Sequence, residues 1–264
     1  MALRSPLMNV MVTAAEKAGK ALKRDFGEVE HLQVSRKGPS DFVSAADVKT
    51  EKFLVAELSK ARPTFGFVNE EGGIVQGADP DHRWIIDPID GTTNFLHGIP
   101  HFAMSIALQR GPEIIAGVVY NPITDDLFTA EKGMGAFHNN RRLRVSARRT
   151  LDDVLVGTGS PYKGRPGHKE FLEQCERVIA VTAGIRRFGT ASLDLAFVAA
   201  GRYDGFWEMG LQPWDMAAGI LLVTEAGGFV SDLMTPASPL DTGNILATNA
   251  ELQVSLRKVI LGTP

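Results

Sequence analysis

Trp84-Ile85-Ile86-Asp87-Pro88-Ile89-Asp90-Gly91-Thr92-Thr93-Asn94 is the stretch that decides how the chain is read. Trp84-Ile85-Ile86 reads as a short buried strand that delivers Asp87 to its C-terminal end. Pro88 disfavours the helical region for Asp87 and holds it extended, and Gly91 permits a sharp turn. Two carboxylates three residues apart across such a turn can converge on one point. Without counter-charges they repel and raise each other's pKa, so they need a cation. Hard oxygen ligands select Mg2+, Mn2+ or Ca2+ over zinc. Gly91, Thr92 and Thr93 read as the opening of a helix, where free N–H groups and hydroxyls receive an anion. A metal beside an anion cradle is the arrangement phosphoryl chemistry requires. The same composition also makes an ordinary turn followed by a Thr92 cap, and on this stretch alone the two readings are evenly matched.

Three further acidic elements bear on that choice. Val68-Asn69-Glu70-Glu71-Gly72-Gly73 places Glu70 and Glu71 at a strand end before flexible glycines, although an exposed acidic loop is the commoner meaning of such a stretch. In Gln212-Pro213-Trp214-Asp215, proline at the first helical position puts Asp215 in the first turn, where the helix dipole favours an acid in any case. Asp47, after Val43-Ser44-Ala45-Ala46, stands at a helix start and reads equally well as an N-cap.

Composition narrows the class. The chain has 264 residues, 44% hydrophobic and 22% charged, which suits a globular protein with a sizeable core. Its net charge of −3 offers no global attraction for nucleic acid or an anionic membrane. A single cysteine, Cys175, cannot form an internal disulfide, which points to a reducing cytoplasm. No apolar run is long enough for a membrane span. The apolar start around Leu7–Val12 is interrupted by Asn9 and continues at helical spacing through Ala14, Ala18 and Leu22, so it reads as an amphipathic helix rather than a secretory signal.

Helices are expected over 6–26, 47–61, 167–181, 191–200, 213–226 and 250–260, and an exposed Gly/Pro/Ser loop over 34–41. Short strands are expected over 65–68, 84–86, 154–156, 205–207, 229–231 and 244–248. Between 101 and 145, strands over 102–109, 114–120, 126–130 and 135–138 are separated by Gly111-Pro112, Asn121-Pro122 and Asn139-Asn140, which implies antiparallel pairing through tight turns. No linker or repeat divides the chain. It reads as one mixed α/β domain in two halves, about 1–148 and 149–264.

Taken together, the acidic segments resemble the magnesium-dependent, lithium-sensitive phosphatases of the inositol monophosphatase family. That family's scattered pattern is matched by Asp47, Glu70-Glu71, Asp87-Pro88-Ile89-Asp90-Gly91-Thr92, Trp214-Asp215 and Gly227-Gly228, with Lys37-Gly38-Pro39-Ser40-Asp41-Phe42-Val43 and Asn94-Phe95 adding to it. Each piece is weak, whereas the joint match is specific and covers nearly the whole chain. The resemblance implies a layered α-β-α-β-α sandwich, of the inositol monophosphatase/fructose-1,6-bisphosphatase type, and a homodimer. It also implies two or three Mg2+ ions, with Mn2+ as a substitute. One ion is held by Glu70, Asp87 and the Ile89 carbonyl, a second by Asp87, Asp90 and Asp215, and a looser third involves Glu70. A water on the first ion is oriented by Thr92 and Asp47 and attacks the phosphomonoester directly, with Asp47, Glu70 and Thr92 as the catalytic set.

For substrate, the resemblance implies that Gly189, Thr190 and Ala191 meet the polyol through their backbone and that Glu208 accepts from its hydroxyls. Asp90, Gly91, Thr92 and Asp215 also stand among the substrate contacts. Read without the family, Gly189-Thr190-Ala191-Ser192 is a helix cap and Glu208 a surface residue. Asn69 and Gln212-Pro213 depart from common family patterns at the rim. The expected substrate is inositol 1-phosphate; histidinol phosphate, fructose 1,6-bisphosphate and 3′-phosphoadenosine-type phosphates are the sister alternatives. The run Arg141-Arg142-Leu143-Arg144 with Arg148-Arg149 is the one feature favouring a regulatory partner such as transcription machinery or nucleic acid, and it also reads as a solvated hairpin edge. The histidines, including His31, show no ligand spacing, and Cys175 reads as packing.

Overall fold

Helix α1 (Pro6–Gly27) starts where its sequence dictates. The Ser5 hydroxyl accepts from the Met8 N–H at 3.0 Å and Pro6 occupies the first turn. Its buried stripe of Met8, Met11, Val12, Ala15, Ala18 and Leu22 recurs every three to four residues. A computed structural model describes residues 4–28, 34–38 and 41–263 of the chain. After α1 come β1 (Val34–Gly38), β2 (Asp41–Ser44) and α2 (Ala45–Ala61). The stretch read as an exposed loop is therefore mostly strand: β1 and β2 pair antiparallel, with Val34 opposite Ser44 and Gly38 opposite Asp41. The flanks of the Gly/Pro/Ser segment carry the β-formers Val34, Phe42 and Val43. Pro39, Ser40 and His31 lie outside the described residues.

The chain continues with β3 (Gly66–Asn69), β4 (Gly73–Val75), β5 (His82–Asp90), α3 (Thr92–Leu96), β6 (Ala103–Arg110), β7 (Glu113–Asn121), β8 (Asp126–Glu131), β9 (Gly135–His138) and β10 (Arg141–Arg142). These strands form one eight-stranded sheet in the order β10-β9-β8-β7-β6-β5-β3-β4. Its antiparallel run from β5 to β10 follows the tight turns the sequence marks, and β3 alone lies parallel to its neighbour β5. Then follow β11 (Leu155–Thr158), α4 (His168–Ile179), β12 (Gly184–Arg186), α5 (Ala191–Ala199), β13 (Gly205–Glu208), α6 (Pro213–Glu225), β14 (Phe229–Ser231), α7 (Pro239–Thr242), β15 (Ile245–Thr248) and α8 (Gln253–Leu261). Their strands build a second sheet, β12-β11-β13-β15-β14, in which β12 and β13 both run parallel to β11.

Five layers result. Helices α1 and α2 cover one face of the large sheet, α5 and α6 fill the space between the sheets, and α4 and α8 pack on the far side of the second sheet. On β6, Met104, Ile106 and Leu108 join the core under α1 and α2, whereas Ala103 and Ala107 join the core around α5 and α6. Burial on both faces explains why these strands read as continuous apolar runs rather than alternating ones. Among the described residues, no helix is long and apolar enough to cross a membrane.

Candidate active site

The two sheets aim their parallel strands at a common region. Ligands of α/β proteins gather beyond the C-terminal ends of parallel strands, where the connections diverge. In the large sheet these ends belong to β3 and β5. Glu70 follows β3 directly, and its N–H donates to the Ile86 carbonyl on β5 at 3.2 Å, which sets it beside Asp87. Beyond Asp87 the pairing of β5 with β6 slips, so the strand bulges through Pro88 and Ile89 before Asp90 pairs again. Gly91 then takes φ +94° and α3 begins at Thr92. From the second sheet, the ends of β11, β12 and β13 bring Gly159, Arg187 and Glu208 to the same cleft. Its volume is about 610 Å3, and the start of α6 adds Asp215.

Each aspartate has one oxygen fixed by a main-chain amide. Asp87 Oδ1 accepts from Ile89 N–H at 2.9 Å, Asp90 Oδ2 from Ser192 N–H at 2.7 Å, and Asp215 Oδ2 from Gln212 N–H at 2.7 Å. The last bond is part of the capping box that opens α6. Ser105 on β6 donates to the Trp214 carbonyl at 3.1 Å and pins that helix start against the large sheet.

Electrostatics follow from burial. Asp87 is raised well above the ordinary carboxylate range, first by desolvation and then by the charges of Glu70, Asp90 and Asp215. Asp215 is raised well above it by desolvation and the Asp90 charge. Asp90 is pushed up to about 6 by desolvation, against the opposing Ser192 hydrogen bonds. Among the described residues none of these three aspartates forms an ion pair with a lysine, arginine or histidine. Nor do any three carboxylate, imidazole or thiol groups there already stand as a preformed metal cage. The donor set is nonetheless all oxygen and short of positive charge, and this fits a hard divalent cation.

Of the residues singled out from sequence, Glu70, Asp87, Ile89, Asp90, Gly91, Thr92, Gly189, Ala191, Glu208 and Asp215 line the one cleft. Asp47 lies fully buried just behind it, its Oδ1 3.3 Å from the Thr92 hydroxyl, which also reaches the Ile89 carbonyl at 3.0 Å. Thr190 is the exception. It is buried, and its hydroxyl donates to the His101 carbonyl at 3.0 Å instead of facing the cleft.

Several participants escaped the sequence reading. Glu51, buried on the same face of α2 as Asp47, accepts from the Glu71 N–H at 2.8 Å and so holds the turn that carries Glu70. The spacing Asp47, Glu51, Leu54, Leu58 on one helical face was the available signal. Arg165 and Arg187 also line the cleft, and only the tertiary pairing of distant strands brings them there. Outside the cleft, two histidines sit half-buried in strands rather than at the surface or in loops: His82 stacks on Phe65 at 4.6 Å and His138 on Phe128 at 4.4 Å. Burial pushes the Cys175 thiol up, consistent with packing rather than nucleophilic use.

A family model described as "Inositol monophosphatase family" matches residues 3–260. The chain belongs to the inositol monophosphatase family. It is 59% identical over 257 residues to the inositol-1-monophosphatase of Rhizobium meliloti, covering 97% of each chain. It is 46% identical over 250 residues to the Pseudomonas aeruginosa protein named Nus factor SuhB, covering 93% of this chain and 92% of that one. Among solved structures, the extragenic suppressor protein suhB from Bartonella henselae superposes with a TM-score of 0.94 at 59% identity, over 97% of this chain and 98% of that one. As an inositol monophosphatase family member the chain is a phosphatase, and the mixed α/β architecture expected from the resemblance is the one observed.

Proposed function

We propose that this phosphatase hydrolyses inositol 1-phosphate, or a similarly small polyol phosphate, in the cleft between the two sheets. One observation carries the reading: five carboxylates from four separate segments line that cleft with Thr92 among them. Divalent cations, Mg2+ foremost, held by Glu70, Asp87, Asp90, Asp215 and the Ile89 carbonyl, would supply the positive charge that offsets the carboxylates and draws electron density from the phosphoryl group.

The chain's own residues do the rest. Asp47, desolvated behind Thr92 and within reach of its hydroxyl, is set to take a proton relayed through that hydroxyl from the attacking water. The Ile89 carbonyl competes for the same hydrogen, so the Thr92 hydroxyl has two acceptors between which to turn. At the opposite end Glu208 is pushed up to about 8 by burial and the Asp90 charge, against the opposing charges of Arg187 and Arg165. A hydrogen-bonding polyol suits such a carboxylate, because hydroxyl donors offset its desolvation. Gly189 and Ala191 flank that end with main chain.

The middle core joins Val68 and Ile85 of the first half to α5 and α6 of the second, in keeping with one folding unit. The rival reading, a transcription partner as the Pseudomonas relative's name suggests, draws on the arginine run. Within that run Arg148 is committed to Asp204 at 3.0 Å and Arg144 to the Leu143 carbonyl at 2.9 Å.

The test is phosphate release, with and without Mg2+, from inositol 1-phosphate, histidinol phosphate, fructose 1,6-bisphosphate and 3′-phosphoadenosine 5′-phosphate. Highest kcat/KM on the first is expected. Preference for another member of the panel would replace the substrate, and indifference to Mg2+ would remove the metal.

A further inference from the structure

Gly159 and Glu208 occupy equivalent places at the ends of two neighbouring parallel strands. Thr158 pairs with Trp207 in the β11–β13 register, so the next residue on each strand emerges side by side at the cleft. A Cβ placed on Gly159 would lie 1.9 Å from both Cδ and Oε1 of Glu208 and 2.1 Å from Oε2. The volume that any other residue fills with its first side-chain carbon is thus filled here by the Glu208 carboxylate. Backbone conformation does not demand glycine at this position, since Gly159 lies outside the left-handed region that so many of the chain's other glycines adopt.

Other anchors for that carboxylate are lacking among the described residues. Among the described residues Glu208 forms no ion pair within 4.0 Å. The two cations of the cleft are held elsewhere: Arg187 Nε donates to the Ser160 hydroxyl at 3.0 Å, and Arg165 donates to the Gly210 carbonyl at 2.7 Å while stacking on the Tyr162 ring. With no ionic clamp, the shape of the wall fixes where the carboxylate stands.

We infer that Gly159 is a positioning residue: the hollow left by its missing side chain sets the place of the Glu208 carboxylate, and with it the preference for a polyol phosphate over a simple phosphate ester. The inference rests on the proposed role of Glu208 as acceptor for substrate hydroxyls. A methyl group at 159 leaves the acidic end of the cleft untouched and drives Glu208 out of its seat. Hydroxyl recognition, not phosphate recognition, is therefore the property that changes.

Steady-state kinetics on inositol 1-phosphate and on 4-nitrophenyl phosphate, which has no hydroxyls to recognise, test this in the wild type, Gly159→Ala, Glu208→Gln and the double variant. Gly159→Ala should lower the ratio of the two kcat/KM values about tenfold, mainly through KM for the inositol ester, as befits one displaced hydrogen-bond acceptor. The double variant should fall no further than Glu208→Gln alone. Equal losses on both substrates, or losses that multiply in the double variant, would overturn the assignment. A crystal structure of Gly159→Ala separates this failure from a wrong substrate. Glu208 swung away over an unmoved backbone supports the inference whatever the ester, and Glu208 in place over a displaced strand end refutes it.

Discussion

Gly91 joins two cleft residues, Asp90 and Thr92, and its replacement by alanine has a calculable cost. Its φ of +94° is unfavourable for any residue with a Cβ, which costs about 1–2 kcal/mol. The new methyl would also stand 2.5 Å from the Thr190 hydroxyl oxygen, 3.2 Å from the His101 carbonyl and 3.3 Å from the Phe102 Cβ. Thr190 cannot simply yield, because its hydroxyl is bonded to that same carbonyl. Overpacking of this kind adds about 1–3 kcal/mol. A total near 3 kcal/mol corresponds to a fall of roughly 6 °C in Tm for a chain of this size. Because a shift of about 1 Å in a positioned group costs on the order of 100-fold in rate, kcat/KM should drop well beyond the stability loss. Truncating Thr190 to alanine removes the clash but not the φ strain. The double variant, measured by urea denaturation, should therefore be less destabilised than the sum of the singles by about 1–2 kcal/mol. Full additivity, or a Gly91→Ala protein as stable as wild type, would refute the argument.

Asp90→Asn keeps an acceptor for the Ser192 N–H but loses the charge. Turnover should fall by more than about 100-fold, beyond what the loss of a mere supporting group costs, while thermal stability without Mg2+ holds or rises; near-normal turnover would remove Asp90 from the ligand set. For carboxyls raised by folding, the metal-free protein has its full stability below the ordinary aspartate value of 3.8 and loses it as pH climbs through the folded value, about 6 for Asp90. A divalent cation replaces those protons, so the Mg2+-induced rise in Tm by scanning fluorimetry should be larger at pH 8 than at pH 5, and a gain that shrank with rising pH would contradict the site. Asp194 is fully buried on α5, with neither carboxylate oxygen in a hydrogen bond of good geometry, and desolvation raises it well above the carboxylate range. Asp194→Asn should therefore raise Tm at pH 8 by about 4 °C, for a gain of about 2 kcal/mol, with less benefit at pH 5; a loss of stability at both pH values would show that the carboxylate has a partner it needs.

The legible parts of the site are those whose chemistry is local. A strand, a proline and a glycine within eight residues mark Asp87, Asp90 and Thr92 as candidates, although the same composition also makes an ordinary turn. Asp215 is equally local, because Pro213 fixes where its helix begins. Arg165 and Arg187 reach the cleft only through pairings between strands far apart in the chain, and nothing adjacent to them in sequence announces it. Thr190 divides its roles: its neighbours Gly189 and Ala191 line the cleft, while its hydroxyl satisfies the His101 carbonyl. In the fold, β4 and β12 have three residues each, too few to establish a period of two. Strand β5 runs through Pro88 to Asp90, beyond the expected end at Ile86, because a bulge accommodates the proline.

The amide tether on each of the three aspartates has a bearing on ion choice. With one oxygen of every carboxylate already accepting from main chain, each resists swivelling to offer both oxygens to one ion. Such monodentate, orientationally frozen donors suit a small ion that accepts six well-spaced oxygens and retains water, and serve poorly a larger one that gathers seven or eight through chelating carboxylates. Discrimination between magnesium and calcium would then reside in three backbone N–H groups, on Ile89, Ser192 and Gln212, rather than in the acids themselves.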